Sequence, residues 1–397
     1  MDLVLPPLDG VRVLDFGRYI AGPYCARLLG DVGAEVIRVE KVRGSEDRFV
    51  VPLAHGDAGA MFLQMNENKR GMTLDPTKPE ATEIVRRLVA SSDVVVANLP
   101  AAALAAIGLD YGSLTSIKSD IILTSVDAFG GGGPWSERPG FDGIGQVMSG
   151  AAYLSGERDV PSKSYMLWVD FGTASFAAFG TMAALMTRAA TGKGQHVQGA
   201  LLKTALTVAN STLMEQAILE PDRVATGNRG QIAGPADIFE TSDGWIIVQV
   251  IGNGLFKRWL DLVGEDQWHD DERFSDDESR GNHRDILCDR MSAWSAQRST
   301  AGALEALEKA GLPSAPVLSP RQALVNEHVA ALGFLRPVDY PGVPRPAPVA
   351  DTPVSLSAVA DRKRTRAPLL GEHTDEILAE IGFGPAEIDA FRNMRVI

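Results

Sequence analysis

Short apolar runs alternate with amphipathic stretches through the first half of the chain, the pattern of a parallel sheet with helices on its faces. Residues 11–16 predict a buried strand, a loop through Gly17 and Gly22 follows, and residues 23–31 predict a helix with proline at an early position. Residues 35–40 form the next expected strand. Over residues 81–90, Ile84, Val85, Leu88 and Val89 share one helical side, while 94–98 and 121–126 have the β-branched content of strands. The series is α/β and Rossmann-like.

Near Asp170 the texture changes. Residues 172–188 predict a helix rich in Ala and Gly, hence closely packed against another backbone, with Gly192 as its C-terminal stop. From about 223 to 325 the pattern is mixed, with a strand over 245–250, a helix over 255–263 and a polar stretch from 266 to 284, which predicts a smaller α+β domain. Residues 335–351 are rich in proline without periodicity and read as an extended connection, before two short helices over 374–381 and 385–392. No internal repeat is present.

Length and charge narrow the function. With 397 residues the chain exceeds the ~250 to 300 that one core ordinarily supports, so two domains are expected. A net charge of -13 argues against a general nucleic-acid binder, and any phosphate site must be a local cluster. The opening residues carry Asp2 and Asp9 and no basic region before an apolar stretch, unlike a secretory signal. The longest apolar run, 175–186, contains Gly180 and Thr181 and is short for a bilayer span. Cys25 and Cys288 lack CxxC spacing, so neither structural zinc nor a disulfide framework is expected, and a cytoplasmic location fits.

The commonest catalytic signatures are missing: GxSxG, GxxxxGK[ST], HExxH, and GxGxxG after the first strand. Lys41, Arg43 and Arg48 follow the second strand, and Lys69 and Arg70 follow Asn66 and Asn68; they are phosphate-holding cations or, taken singly, solvated surface charges. The run from Gly130 to Gly133 is either a loop that closes on a ligand or a flexible turn. Asp170, between an apolar stretch and a helix, has the position of an N-cap, and a helix start would keep its carboxylate ionised as a nucleophile requires. His55, His196, His269, His283, His328 and His373 show no ligand spacing, so no metal site is expected.

Several segments together resemble the class III CoA-transferase family, which includes formyl-CoA and carnitine CoA-transferases. They include Pro7-Leu8-Asp9-Gly10, Ala21-Gly22-Pro23, Gly33-Ala34-Glu35-Val36-Ile37, Asn66 through Arg70 into Leu74-Asp75, and Arg138-Pro139-Gly140-Phe141-Asp142. The Asp170 segment, Thr191-Gly192-Lys193-Gly194-Gln195, Gly227-Asn228, Asp243-Gly244 and the stretch from Thr365 to Thr374 continue the match. The resemblance implies a large Rossmann-like domain from both chain ends (1–215 and 330–397), a small inserted domain (223–325), linkers at about 200–226 and 327–351, and an interlocked homodimer. It makes Asp170 the catalytic residue and Ile20, Ala21, Lys41, Leu74, Asp75, Asn98, Leu99, Phe129 and Gly130 contacts to CoA, which is a substrate, with no tightly bound cofactor. Ala106 and Asp127 depart from an arginine and a lysine of formyl-CoA transferase-like sequences, and Ile20 from a glutamine; the last suggests a less polar pocket than formate or oxalate would need.

The implied chemistry moves CoA from an acyl-CoA to a small carboxylic acid through an anhydride and then a thioester on Asp170. Backbone N–H groups near Gly172 or at Gly252 are candidates for the oxyanion site. The α-methylacyl-CoA racemases of the same family need a histidine where this chain has Phe141, which cannot accept a proton. A non-catalytic CoA-binding protein is the alternative from another class.

Overall fold

The computed structural model describes residues 4–54, 59–359 and 364–397; His55 lies outside them. Its main sheet has six parallel strands: β1 (Arg12–Asp15), β2 (Glu35–Glu40), β3 (Lys69–Thr73), β4 (Val94–Ala97), β5 (Ile122–Asp127) and β6 (His196–Ala200), in the order β3-β2-β1-β4-β5-β6. Successive side chains of a strand face opposite ways, so a strand covered on both faces sends apolar residues into two cores. Leu14, Ile37, Val95 and Leu123 enter one core, shared with helix α2 (Thr82–Ala90). Val13, Val36, Val94 and Ile122 enter the other, shared with α1 (Ala21–Asp31) and α5 (Trp168–Thr191). The chain leaves β1 for β2 on one side and reaches β4 on the other, which opens a crevice at the strands' carboxyl ends.

Before α5 come α3 (Ala101–Ala106) and α4 (Asp142–Met148), and after it α6 (Leu201–Leu219). The chain separates into two compact units, one of Met1–Ser149, Ser164–Met214 and Leu332–Ile397, the other of Gly150–Lys163 and Glu215–Ala331. The second has an antiparallel sheet of β7 (Ala236–Glu240), β8 (Trp245–Gln249) and β9 (Ser314–Pro316), with α7 (Asn253–Val263) against it around Phe239, Ile246, Trp259 and Trp294.

Three expectations need correction. The segments read as linkers are largely regular: 200–226 contains α6, and 327–351 contains a hairpin of β10 (Leu335–Val338) and β11 (Ala347–Ala350). Proline misled there, because Pro337 and Pro348 face each other across a two-stranded ribbon where neither N–H is required. The apolar helix is also longer than its run of 175–186, since Trp168 starts it; by length and composition alone its 24 residues would cross a bilayer. Val169, Thr173, Ala177, Thr181 and Ala184 are buried in the protein, which makes α5 a core helix. Finally, Arg48 and Lys69 are neither surface charges nor phosphate ligands. Lys69 Nζ lies 2.8 Å from Asp15, Arg38 bridges Asp15 and Asp47, and Arg48 is paired with Glu40 at 2.7 Å, all with fully buried side chains.

Burial pushes the Asp15 carboxyl up, but Lys69 and Arg38 outweigh it and hold the group below its usual range. Burial in turn pushes Lys69 down to about 8 despite the pull of Asp15. Removing one partner strands a charge in the interior, so Lys69→Ala is expected to destabilise the fold by about 3–5 kcal/mol in urea unfolding. A loss under 1 kcal/mol would show that Asp15 does not depend on this lysine.

The two C-terminal helices form as expected, as α8 (Thr374–Glu380) and α9 (Pro385–Asn393). They bring Ile377, Leu378, Phe383, Ile388, Val396 and Ile397 onto the α2 face of the sheet.

Candidate active site

The β1–α1 turn exists because two glycines allow it. A Cβ on Gly22 would lie 2.9 Å from Gly17 Cα, and one on Gly17 would lie 2.7 Å from Pro23 Cδ. Asn98, just past β4, closes the turn from the other side: its Oδ1 accepts the Arg18 N–H at 2.6 Å and its Nδ2 donates to the Arg18 carbonyl at 2.8 Å. Gly17 and Gly22 thus serve close packing of the turn and not a glycine-rich phosphate loop.

At the carboxyl ends of β1 to β4 lies a cavity of about 600 Å³. Phe16, Val39, Leu74, Leu99, Ala103 and Ile107 give it apolar walls, while Arg18, Lys41, Arg43, Lys78 and Arg395 bring positive charge to it. Lys41 is paired with Glu46. Among the described residues Arg43 and Arg395 have no carboxylate partner, so both are free to meet an anion. An apolar slot with cations along it suits a ligand that carries a ring and phosphates.

The Asp170 carboxylate is placed by a different neighbour than an N-cap reading requires. α5 begins at Trp168 with Leu167 as its cap residue, so Asp170 is the third helical residue. The helix start is capped from α4: Asp142 Oδ2 accepts the N–H of Val169 at 2.8 Å and of Asp170 at 3.0 Å. Among the described residues no hydrogen bond reaches the Asp170 carboxylate. Burial, with a smaller contribution from the Asp142 charge, pushes its carboxyl up to about 7. The helix start therefore does not hold Asp170 ionised at low pH, contrary to the sequence expectation, because Asp142 already occupies its N–H groups.

A chain of contacts runs from the cavity to the start of α5. Arg18 lines the cavity, its neighbour Tyr19 meets Phe141 edge-on with ring centroids 5.6 Å apart, and Phe141 precedes Asp142 at the start of α4. Of the expected CoA contacts, Lys41, Leu74, Asp75 and Leu99 line the cavity. Asn98 supports it through Arg18, and Ile20 and Ala21 are buried at the start of α1, where Ile20 accepts the N–H of Tyr24. Phe129 and Gly130 lie beyond β5, where Asp127 Oδ1 accepts the Gly130 N–H. That bond gives Asp127 a turn-forming role in place of a charged contact.

Neither oxyanion candidate is available. Gly172 is the fifth residue of α5, where the helix already uses the N–H, and the Gly252 N–H donates to both oxygens of Asp277 at 2.9 Å. His196 bonds Ser125 Oγ at 2.7 Å and His373 Nδ1 accepts the Gly71 N–H at 3.1 Å, both structural roles. In the second unit the exposed Asp261, Asp266 and His269 have ligand atoms within 4.8 Å of one another. Sequence reading missed Arg18, Lys78, Ala103 and Arg395, which only the folded sheet gathers.

Residues 8–374 match the profile described as CoA-transferase family III. The chain belongs to CoA-transferase family III. Among its relatives in this family is a succinate–glutarate CoA-transferase of Agrobacterium fabrum, 32% identical over 390 residues that cover 95% of this chain and 96% of the relative. The succinyl-CoA–L-malate CoA-transferase beta subunit of Chloroflexus aurantiacus is 30% identical, with 98% of each chain covered. A solved family structure, a CAIB/BAIF family protein from Brucella suis, superposes with a TM-score of 0.82 at 32% identity, covering 95% of this chain and all of that one.

Proposed function

We propose that this CoA-transferase moves CoA from an acyl-CoA to a small carboxylic acid with Asp170 as the covalent residue. One observation carries the reading: the Asp170 carboxylate is partly buried, takes no hydrogen bond among the described residues, and sits on a helix whose start is fixed by another aspartate. The ionised carboxylate attacks the donor thioester carbonyl, forming a C–O bond and expelling CoA thiolate, which leaves a mixed anhydride. The thiolate attacks the aspartyl carbonyl, releasing the donor acid as its carboxylate and leaving an aspartyl-CoA thioester. The acceptor carboxylate then reverses both steps. Each covalent state is water-labile, so the partly buried position supports the reading.

The relatives' names supply the acids to try first: succinyl-CoA as donor, with glutarate or malate as acceptor. Mixing the protein with succinyl-CoA is expected to give a species heavier by one CoA less one water, on the peptide containing Asp170. No adduct with any turned-over thioester, or unchanged exchange in Asp170→Ala, rejects the mechanism. Phe141 argues against racemisation, since an exposed phenyl ring offers no base beside Asp142.

CoA itself is assigned to the cavity at β1 to β4. Ala103→Trp, at an exposed position on α3, is expected to raise the KM for acyl-CoA by ~30-fold or more, with kcat and unfolding midpoint little changed. An unchanged KM places the nucleotide elsewhere. We extend the reading to an interlocked homodimer in the cytoplasm. Exposed Phe176, Phe179, Met186, Val208, Met214 and Ile218 on α5 and α6 leave apolar area for a second copy to cover, and the two thiols are buried and free. Light scattering that gives a monomer mass rejects the dimer.

A further inference from the structure

The first turn of a helix has backbone N–H groups without partners inside it, and acidic side chains in or just before that turn ordinarily fold back onto them. Asp170 is placed to do so, yet Asp142 does it from α4. Asp142 is itself held: Gln146, one turn on, donates its amide to Asp142 Oδ1, and Gln146 Oε1 accepts the Ser164 N–H at 2.8 Å. Both residues are 2% exposed. Gly145 between them permits the approach of α4 to α5, because a Cβ there would lie 2.7 Å from Val169 Cγ1.

We propose that Asp142 and Gln146 are positioning residues for Asp170: Asp142 occupies the Val169 and Asp170 N–H groups of α5 and Gln146 holds Asp142 there, so that the reacting carboxylate stays unengaged and the helix stays capped through every covalent state. The proposal rests on the reading of Asp170 as nucleophile. Asp170 would pass from anion to neutral acyl group and back in each turnover. If it were its own cap, every acylation would remove the acceptor from the helix start, and every release of the acid would recreate a bond that holds the carboxylate away from substrate. A second carboxylate that never reacts keeps the helix start constant.

The charge of Asp142 has its own effect, since an anion nearby disfavours ionisation of Asp170 and makes the ionised form more basic. Of the other elements against this end of α5, α1 brings Tyr24, in edge contact with Phe171 at 4.8 Å and pushed up by burial, and α6 brings Thr204, which does not titrate. Asp142 is thus the group whose removal the Asp170 carboxyl should register.

The test is a pair of variants. Asp142→Asn keeps one oxygen for the two backbone N–H groups but turns its amide against the Gln146 amide, donor facing donor. Adding Gln146→Glu supplies an acceptor to both the new amide and the Ser164 N–H. The single variant is expected to form the aspartyl-CoA adduct ~10- to 100-fold more slowly with unchanged CoA affinity, and the double variant to recover to within about fivefold of the wild type. In Asp142→Asn the Asp170 carboxyl, followed by carbon NMR without any substrate, is expected to titrate at lower pH. A single variant with the wild-type rate and wild-type titration overturns the proposal, as does a double variant no faster than the single one. If the wild type forms no adduct, the nucleophile reading fails first, and the carboxyl titration still decides whether Asp142 governs Asp170.

Discussion

Asp170→Asn is expected to lower CoA exchange by ~10⁴-fold or more while leaving CoA binding within about threefold of the wild type. An amide of the same shape occupies the same space on α5, but it is too weak a nucleophile to open a thioester. The same substitution is expected to stabilise the fold at pH 8. The Asp170 carboxyl is raised from 3.8 to about 7, so the folded chain binds that proton more tightly than the unfolded chain does. Its favourable contribution is full below pH 3.8 and is lost as pH rises through 7, leaving a partly buried charge that no described residue hydrogen-bonds at pH 8. Removing that charge should add about 1 to 3 kcal/mol there and nothing near pH 3.5, as read by urea unfolding at both pH values. An inactive variant that is also less stable at pH 8 would mean that Asp170 supports the fold in a way its geometry does not indicate.

The second large effect is a pH profile. Nucleophilic attack needs the ionised carboxylate, so single-turnover adduct formation in the free protein should rise from acid to neutral pH with a midpoint near the carboxyl value of about 7. Between pH 8 and pH 5.5 the rate constant should fall about 30-fold, the ratio of ionised fractions for one group of that acidity. A kcat/KM midpoint below pH 5 would show that Asp170 is solvated in solution and would remove burial as the cause of its basicity.

Four strands of the main sheet are legible because residues 11–16, 35–40, 94–98 and 121–126 carry β-branched and apolar side chains on both faces, whereas β3, which opens on Lys69 and Arg70, and β6, with His196 and Gln198, carry too few apolar residues to be read as strands. The sequence points to Asp170 but not to its surroundings. The sequence places the helix start near 172 because residues 165–169 form an apolar stretch without a helix signal, and the shift of four residues makes a third-position aspartate look like a cap. The true cap is Asp142, 28 positions earlier, and no local pattern could connect the two. The same limit explains Arg48 and Lys69: a lone cation in a sequence is nearly always solvated, and only the fold reveals the carboxylates of Glu40 and Asp15 that let these two be buried. The cavity's cations come from three separate loops and the segment after α9, so their convergence depends on strand order and not on spacing.

The packing of α8 and α9 against α2 bears on how the protein is made. One face of the sheet lacks Ile377, Phe383 and Ile388 until residues 374–388 have left the ribosome, while the inserted second unit has its own core and is synthesised earlier. The insert can therefore mature while the sheet that surrounds it in sequence still shows bare apolar surface. Such a nascent chain is a natural client for chaperones, and pauses in translation between the insert and residue 374 would lengthen the interval in which it can aggregate.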